Sequence, residues 1–343
     1  MRTTKIMSIA SVAVIGVVTA GCSGSSTSAR QQSASARVTD PAPLAHEAEG
    51  SARAADYWTP ARMKAAKPLK ESAPSAATRS AKARPKSGRP VDIAPVAPAG
   101  NTAVRSATGG VSAAGATQAT WKKGGLVAKT AGKLFGKGDN GADFVASGNV
   151  VTSKDGDVVF TVGHALRTAT GKWTTNLVFV PGYNNGKSPY GRFPVRKAYV
   201  PLEYMTKDAA GNIVKDRRYD FGAVSVKPVN GKKIQSVVGG QGTSFNIANR
   251  PSGYLFGYPS NGNGGKTLQF CSGPQVEDPA GTMPHGMTCD MGGGSSGGPW
   301  FRNFNTTKGT GYQISVHAAR TSTSYGPYFG ASVLATFRAA ERD

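Results

Sequence analysis

The chain has 343 residues, with 41 Lys and Arg against 19 Asp and Glu, for a formal net charge of +22 at pH 7. A chain of this length can bury a sizeable core, and its charge favours contact with anionic surfaces. With three cysteines and four histidines there is no cluster of zinc-ligand spacing and no phosphate-cradling loop, so no metal and no cofactor is implied.

The chain opens on a stretch that reads as an export leader. Arg2 and Lys5 give a positive start, Ile6 to Val18 form a short apolar run, and Thr19-Ala20-Gly21-Cys22 ends it. The run is too short to span a bilayer comfortably. Small residues before Cys22 resemble the bacterial lipoprotein box, which implies an acylated thiol and cleavage just before it; Thr19 departs from the usual aliphatic residue. Residues 1–22 are therefore expected to be a lipoprotein-type signal, anchoring the mature chain to the outer face of a membrane.

Residues 23–120 are rich in Ala, Ser, Pro, Arg and Lys, with too little apolar surface to offset the entropy of ordering. A disordered segment is expected there, serving as a tether or as a removable pro-segment. Leu44 to Lys70 has some helical character, limited by Pro60 and Pro68, and His46 lies in this tail. The basic excess extends through the whole chain: 15 basic and 6 acidic residues up to Thr120, 26 and 13 after it. For an exported bacterial protein the matching anions are lipid headgroups and cell-wall polymers. Nucleic acid is not expected, because no recognised nucleic-acid module is present and aromatics are not interleaved with a basic cluster.

From residue 121 to 343 short apolar runs recur between Gly, Asn and Pro turns, the pattern of an all-β domain with many short strands. Val158 to Val162 reads as a buried strand, ended by Gly163 just before His164. Tyr219-Asp220-Phe221-Gly222-Ala223-Val224 places an acid at the start of another strand. Asp208 and Asp216 compete for that role, but both sit in a polar stretch that reads as an exposed turn. Further on, Gly292-Gly293-Gly294-Ser295-Ser296-Gly297-Gly298-Pro299 wraps a serine in glycine. Such a turn can expose a hydroxyl and converge backbone N–H groups on a developing oxyanion. Cys271 and Cys289 bracket the approach to it and can close a loop of under twenty residues. His285, between them, is expected at the surface.

Chain order selects among catalytic designs. Gly294-x-Ser296-x-Gly298 fits the nucleophile elbow of α/β-hydrolases, which needs an acid and then a histidine after the serine. The acids after Ser296 are Glu341 and Asp343, and both follow His317, so that design fails. The order His, Asp, Ser instead resembles the trypsin/chymotrypsin-fold serine proteases. Thr161-Val162-Gly163-His164 stands where that family has Thr-Ala-Ala-His, and Gly294-Ser295-Ser296-Gly297-Gly298-Pro299 where it has Gly-Asp-Ser-Gly-Gly-Pro. The resemblance covers roughly residues 120 to 343. It implies two antiparallel six-stranded barrels with a short C-terminal helix, preceded by the disordered tail. It also implies Ser296 as nucleophile, His164 as general base and acid, Asp220 as orienting carboxylate, and the N–H groups of Gly294 and Ser296 as the oxyanion hole. Protein or peptide substrates follow. Because Ser295 replaces the acid that pairs with a freed N-terminus in animal members, activation by burial of a new N-terminus is not expected.

Specificity signals conflict. Ile314-Ser315-Val316-His317 resembles the segment of glutamyl endopeptidases whose histidine receives an acidic side chain. Met291 and Ala318, however, replace the threonine and tryptophan found there. Asp290 lies six residues before Ser296, where trypsin has the acid that receives Lys or Arg, and Arg320 can neutralise it. The balance tilts toward an acidic preference. The rival to an endopeptidase is a catalytically silent module of the same fold that binds the cell envelope.

Overall fold

The computed structural model describes residues 42–69, 85–99, 117–248, 251–278 and 283–343. The expected leader, residues 1–22 with Cys22, lies outside the described residues. The first elements are β1 (Leu44–Glu47), α1 (Ser51–Tyr57), α2 (Pro60–Ala65) and the two-residue β2 (Lys67–Pro68), followed by β3 (Val91–Ile93) and β4 (Ala119–Thr120). Local chemistry starts α2: the Thr59 hydroxyl accepts the Arg62 N–H at 3.3 Å, and Pro60 takes the first helical position.

Six strands then close a barrel. They are β5 (Ala131–Lys137), β6 (Asp143–Val150), β7 (Val158–Thr161), β8 (Thr175–Pro181), β9 (Phe193–Val200) and β12 (Gly222–Val226). The ladder runs β9-β12-β7-β6-β5-β8 and returns from β8 to β9. A small hairpin, β10 (Met205–Lys207) with β11 (Ile213–Lys215), projects before β12. The apolar run expected from the sequence is β7, all four of its residues buried. It pairs antiparallel with β12, Thr161 opposite Gly222. That register brings His164, three residues after β7, and Asp220, two residues before β12, to the same end of the barrel.

The second half holds β13 (Gly242–Phe245), β14 (Gly253–Gly257), β15 (Gln269–Gly273), β16 (His285–Thr288), β17 (Pro299–Asn305), β18 (Thr310–Val316), β19 (Ala319–Arg320) and β20 (Thr323–Gly326), then the C-terminal helix α3 (Ala331–Ala340). The all-β double-barrel architecture expected from the sequence is present, with its closing helix. In this half the strands divide between a seven-stranded sheet, β3-β13-β18-β17-β14-β15-β4, and a three-stranded one, β16-β20-β19. Val333 and Phe337 of α3 are buried, and the Phe337 ring lies 5.6 Å from Phe160 and 5.5 Å from Phe245. The helix thus plugs a core shared by strands of both halves.

One expectation needs correction. Residues 42–69 and 85–99 fall inside the stretch expected to be disordered, yet they are folded onto the domain. β1 extends the first sheet antiparallel to β9, and β3 extends the second antiparallel to β13. Trp58 is fully buried; its indole N–H donates to the Asn176 carbonyl at 2.7 Å, and its own carbonyl accepts from Arg192 at 2.9 Å. Met63 and Ala54 are buried beside it. Average composition hides this, because one tryptophan and one methionine in an Ala-rich segment barely move its hydropathy. Burial of such side chains is still worth about 1.5–3 kcal/mol each.

Candidate active site

His164 sits on the helical turn Gly163–Leu166 that follows β7. Asp220 lies between a short 3-10 turn, Arg217–Tyr219, and β12. The β7–β12 register sets them face to face. One Asp220 carboxylate oxygen accepts the His164 backbone N–H at 2.9 Å, and the other lies 2.7 Å from His164 Nδ1. Asp220 is 4 % exposed. Burial works to raise its pKa, but the charge of His164 and its two hydrogen bonds prevail and hold the carboxyl below its usual range. The rival acids take other roles. Asp208 accepts the N–H groups of Ala210 and Asn212 in an exposed turn, and Asp216 caps the turn before Asp220 and pairs with Arg218.

Ser296 lies on the glycine-rich turn entering β17. Gly294 there has φ 94°, and a Cβ on it would sit 2.8 Å from the Tyr258 carbonyl. Gly297 has φ 87°, and a Cβ there would collide with the Ser147 carbonyl. Only glycine fits either position without strain. The turn is stitched on both sides. The Ser295 N–H and hydroxyl both donate to the Gly292 carbonyl, at 3.3 and 2.5 Å, and the Gly297 N–H donates to the His317 carbonyl at 2.8 Å.

A residue that sequence reasoning missed ties this turn to the first barrel. Ser147, buried on β6, donates its N–H to the Ser296 carbonyl at 2.7 Å and its hydroxyl to the Gly294 carbonyl at 2.8 Å. Its oxygen also accepts the Tyr258 N–H at 3.0 Å. The available signal was a serine directly after the apolar run Phe144-Val145-Ala146. Since β6 neighbours β7, Ser147 links the serine turn to the sheet that carries His164.

The specificity candidates occupy distinct settings. His317 is buried, its Nδ1 2.7 Å from the Ser295 hydroxyl oxygen, and Nε2 meets no hydrogen-bond partner among the described residues. Burial pushes its pKa down to about 4, so the ring is neutral at pH 7. The Asp290 carboxylate accepts the Gln118 N–H at 2.7 Å, and Arg320 donates to the Asp290 carbonyl at 2.8 Å. Met291 is fully buried in a cluster with Trp300 and the half-cystines. Cys271 and Cys289 form a disulfide. An Asp290 carboxylate oxygen lies within 4.8 Å of those sulfurs, but with both thiols oxidised the trio is no metal site. His285 is not at the surface as expected; it is 1 % exposed, and its Nδ1 lies 2.8 Å from Gln275 Oε1. Its place on β16, paired with β20, turns it inward.

A double β-barrel with a His–Asp pair on one sheet and a glycine-cradled serine clipped to that sheet defines the class of chymotrypsin-fold serine hydrolases. No family model and no curated protein matches the chain. Among solved structures it is similar to the protease Anisep from Arthrobacter nicotinovorans, with 36 % identity and a TM-score of 0.56, over 63 % of this chain and 96 % of that one. It is also similar to the thermostable serine protease AL20 from an extremophilic microorganism, with 29 % identity and a TM-score of 0.54, over 64 % of this chain and all of that one. The chain belongs to the trypsin/chymotrypsin-fold serine proteases, and it is a serine-type endopeptidase.

Proposed function

We propose that the chain is an exported endopeptidase that cleaves peptide bonds through Ser296, His164 and Asp220. The observation that carries this reading is the double grip of Asp220 on His164. A carboxylate at Nδ1 fixes the tautomer with its proton there and leaves Nε2 as the base. His164 takes the Ser296 proton as the hydroxyl attacks the substrate carbonyl, and an acyl-enzyme forms. His164 then returns a proton to the leaving amine, and water, activated the same way, releases the acid. The N–H groups of Gly294 and Ser296 receive the oxyanion, an arrangement in which one donor is typically worth about 2.7–4 kcal/mol in the transition state.

The pocket reading favours an acidic side chain before the scissile bond. The Asp290 carboxylate is engaged by Gln118, which weakens its claim as a receptor for Lys or Arg. The Ser295 hydroxyl donates to Gly292, so it accepts the Nδ1 proton of His317 and leaves a lone pair on Nε2. An acidic substrate group there binds as the neutral acid or brings a proton to the ring. Export and anchoring through an acylated Cys22 complete the proposal; the leader sequence supports them, and the +22 charge suits an anionic envelope. Profiling a peptide library with the protein and with Ser296→Ala tests the whole reading. Cleavage after Glu or Asp, abolished in the variant, is expected. Cleavage after Lys or Arg would reassign the pocket to Asp290, and no Ser296-dependent cleavage would favour a silent envelope-binding module.

A further inference from the structure

Residues 67–69 lie between a strand edge of the first barrel and the serine turn. β6 pairs with β5 along one edge from Asp143 to Asn149, but with β7 on the other edge only at Asn149 and Val150. The stretch Phe144–Ala146 therefore offers a strand edge, and such edges capture extended chains by main-chain hydrogen bonding. β2 takes that edge in parallel, Lys67 opposite Phe144 and Pro68 opposite Val145. Two residues beyond Val145, Ser147 donates its N–H to the Ser296 carbonyl, so the occupied edge runs straight into the serine turn.

Pro68 also covers the turn itself. A Cβ on Gly293 would lie 2.9 Å from Pro68 Cβ, and one on Gly294 3.7 Å from Pro68 Cγ. Leu69 follows, partly buried against the core that the two halves share. The grip on this segment lies upstream, in the buried Trp58 and Met63 and the β1–β9 ladder. The contact beside the serine turn is lighter: two residues long, one of them a proline with no N–H to donate.

We propose that Ala66–Leu69 is an autoinhibitory strap, a piece of the chain that fills the strand-accepting edge of β6 beside Ser296 and must leave before an extended polypeptide can lie there. The proposal rests on the reading of Ser296 as nucleophile. Anchoring upstream and light contact at the β6 edge let the strap be displaced while the rest of the segment stays docked.

A disulfide lock tests this. Pro68→Cys with Val145→Cys, in a Cys22→Ser background, places a cysteine pair across the β2–β6 ladder. The oxidised form should hydrolyse an internally quenched peptide at least tenfold more slowly than the reduced form, with the parent unchanged by the same mild reductant. A small fluorophosphonate should label at least the reduced form. Equal hydrolysis by oxidised and reduced forms would overturn the strap. Labelling of neither form would overturn the Ser296 reading, and the strap with it. Independently, Trp58→Ala should raise hydrolysis of the extended peptide at least threefold while labelling by the small probe holds at the parent rate; an unchanged or lower peptide rate in that labelled variant counts against the strap.

Discussion

Asp220 holds His164 at two points, accepting its main-chain N–H at 2.9 Å through one oxygen and meeting Nδ1 at 2.7 Å through the other. The two contacts fix the backbone and the ring together. A buried carboxylate that accepts both is far more specific than a surface ion pair, and its depressed pKa keeps it charged through the neutral range.

Replacing Asp220 with Asn removes the charge and turns one of the two acceptors into an NH2 group. The ring then loses its tautomer control, and kcat should fall by about 10^4-fold, the size known for this substitution in a serine-protease triad. KM should change little, because the carboxylate does not contact substrate. Steady-state kinetics on the folded variant check this; a near-parental kcat would move the orienting role elsewhere.

Ser147→Ala removes one hydroxyl that serves the Gly294 carbonyl and the Tyr258 N–H at once. Leaving those buried groups unsatisfied should cost about 1–3 kcal/mol of stability, visible as a lower Tm. The turn bearing Ser296 should also loosen, lowering kcat about tenfold at nearly constant KM. Ser147→Thr, which restores the hydroxyl, should recover part of both losses. A variant with lower Tm but parental kcat would reduce Ser147 to a purely structural role.

Lys133 is 5 % exposed, with its ammonium 4.5 Å from the centre of the Tyr183 ring, and burial lowers its pKa to about 8. Its unfolded value is 10.5, so between pH 8 and 10.5 the unfolded chain binds more protons and stability rises with pH. Below pH 8 both states are charged and the full cost of burying the ammonium is present. Lys133→Met should therefore stabilise the protein at pH 7 by about 1–3 kcal/mol, less what the ring contact returns. The gain should shrink toward pH 10. Thermal melts of both proteins at pH 7 and pH 10 measure it, and a gain that grows with pH would contradict the assignment.

Local patterns carried much of the site in the sequence. A continuous apolar run marked β7 and so the position of His164, an acid before alternating small and apolar residues marked β12, and the glycine spacing marked the serine turn. Those signals span a few residues each. What stayed hidden depends on distant pairing. Ser147 is one of three polar residues on β6, with nothing to single it out until Gly294 and Tyr258 fold against it. His285 reads as a loop histidine until β20 pairs with its strand. Residues 44–69 look too polar to fold because their stability comes from a sheet edge and a tryptophan pocket supplied 77 to 156 positions later.

The most direct measurement is the stoichiometry and position of a fluorophosphonate adduct on the full chain, mapped by mass spectrometry and followed alongside peptide hydrolysis. The account predicts one adduct per chain, on Ser296, with hydrolysis lost in step with labelling and both absent in Ser296→Ala. An adduct on another residue, or hydrolysis that survives full modification of Ser296, would contradict it.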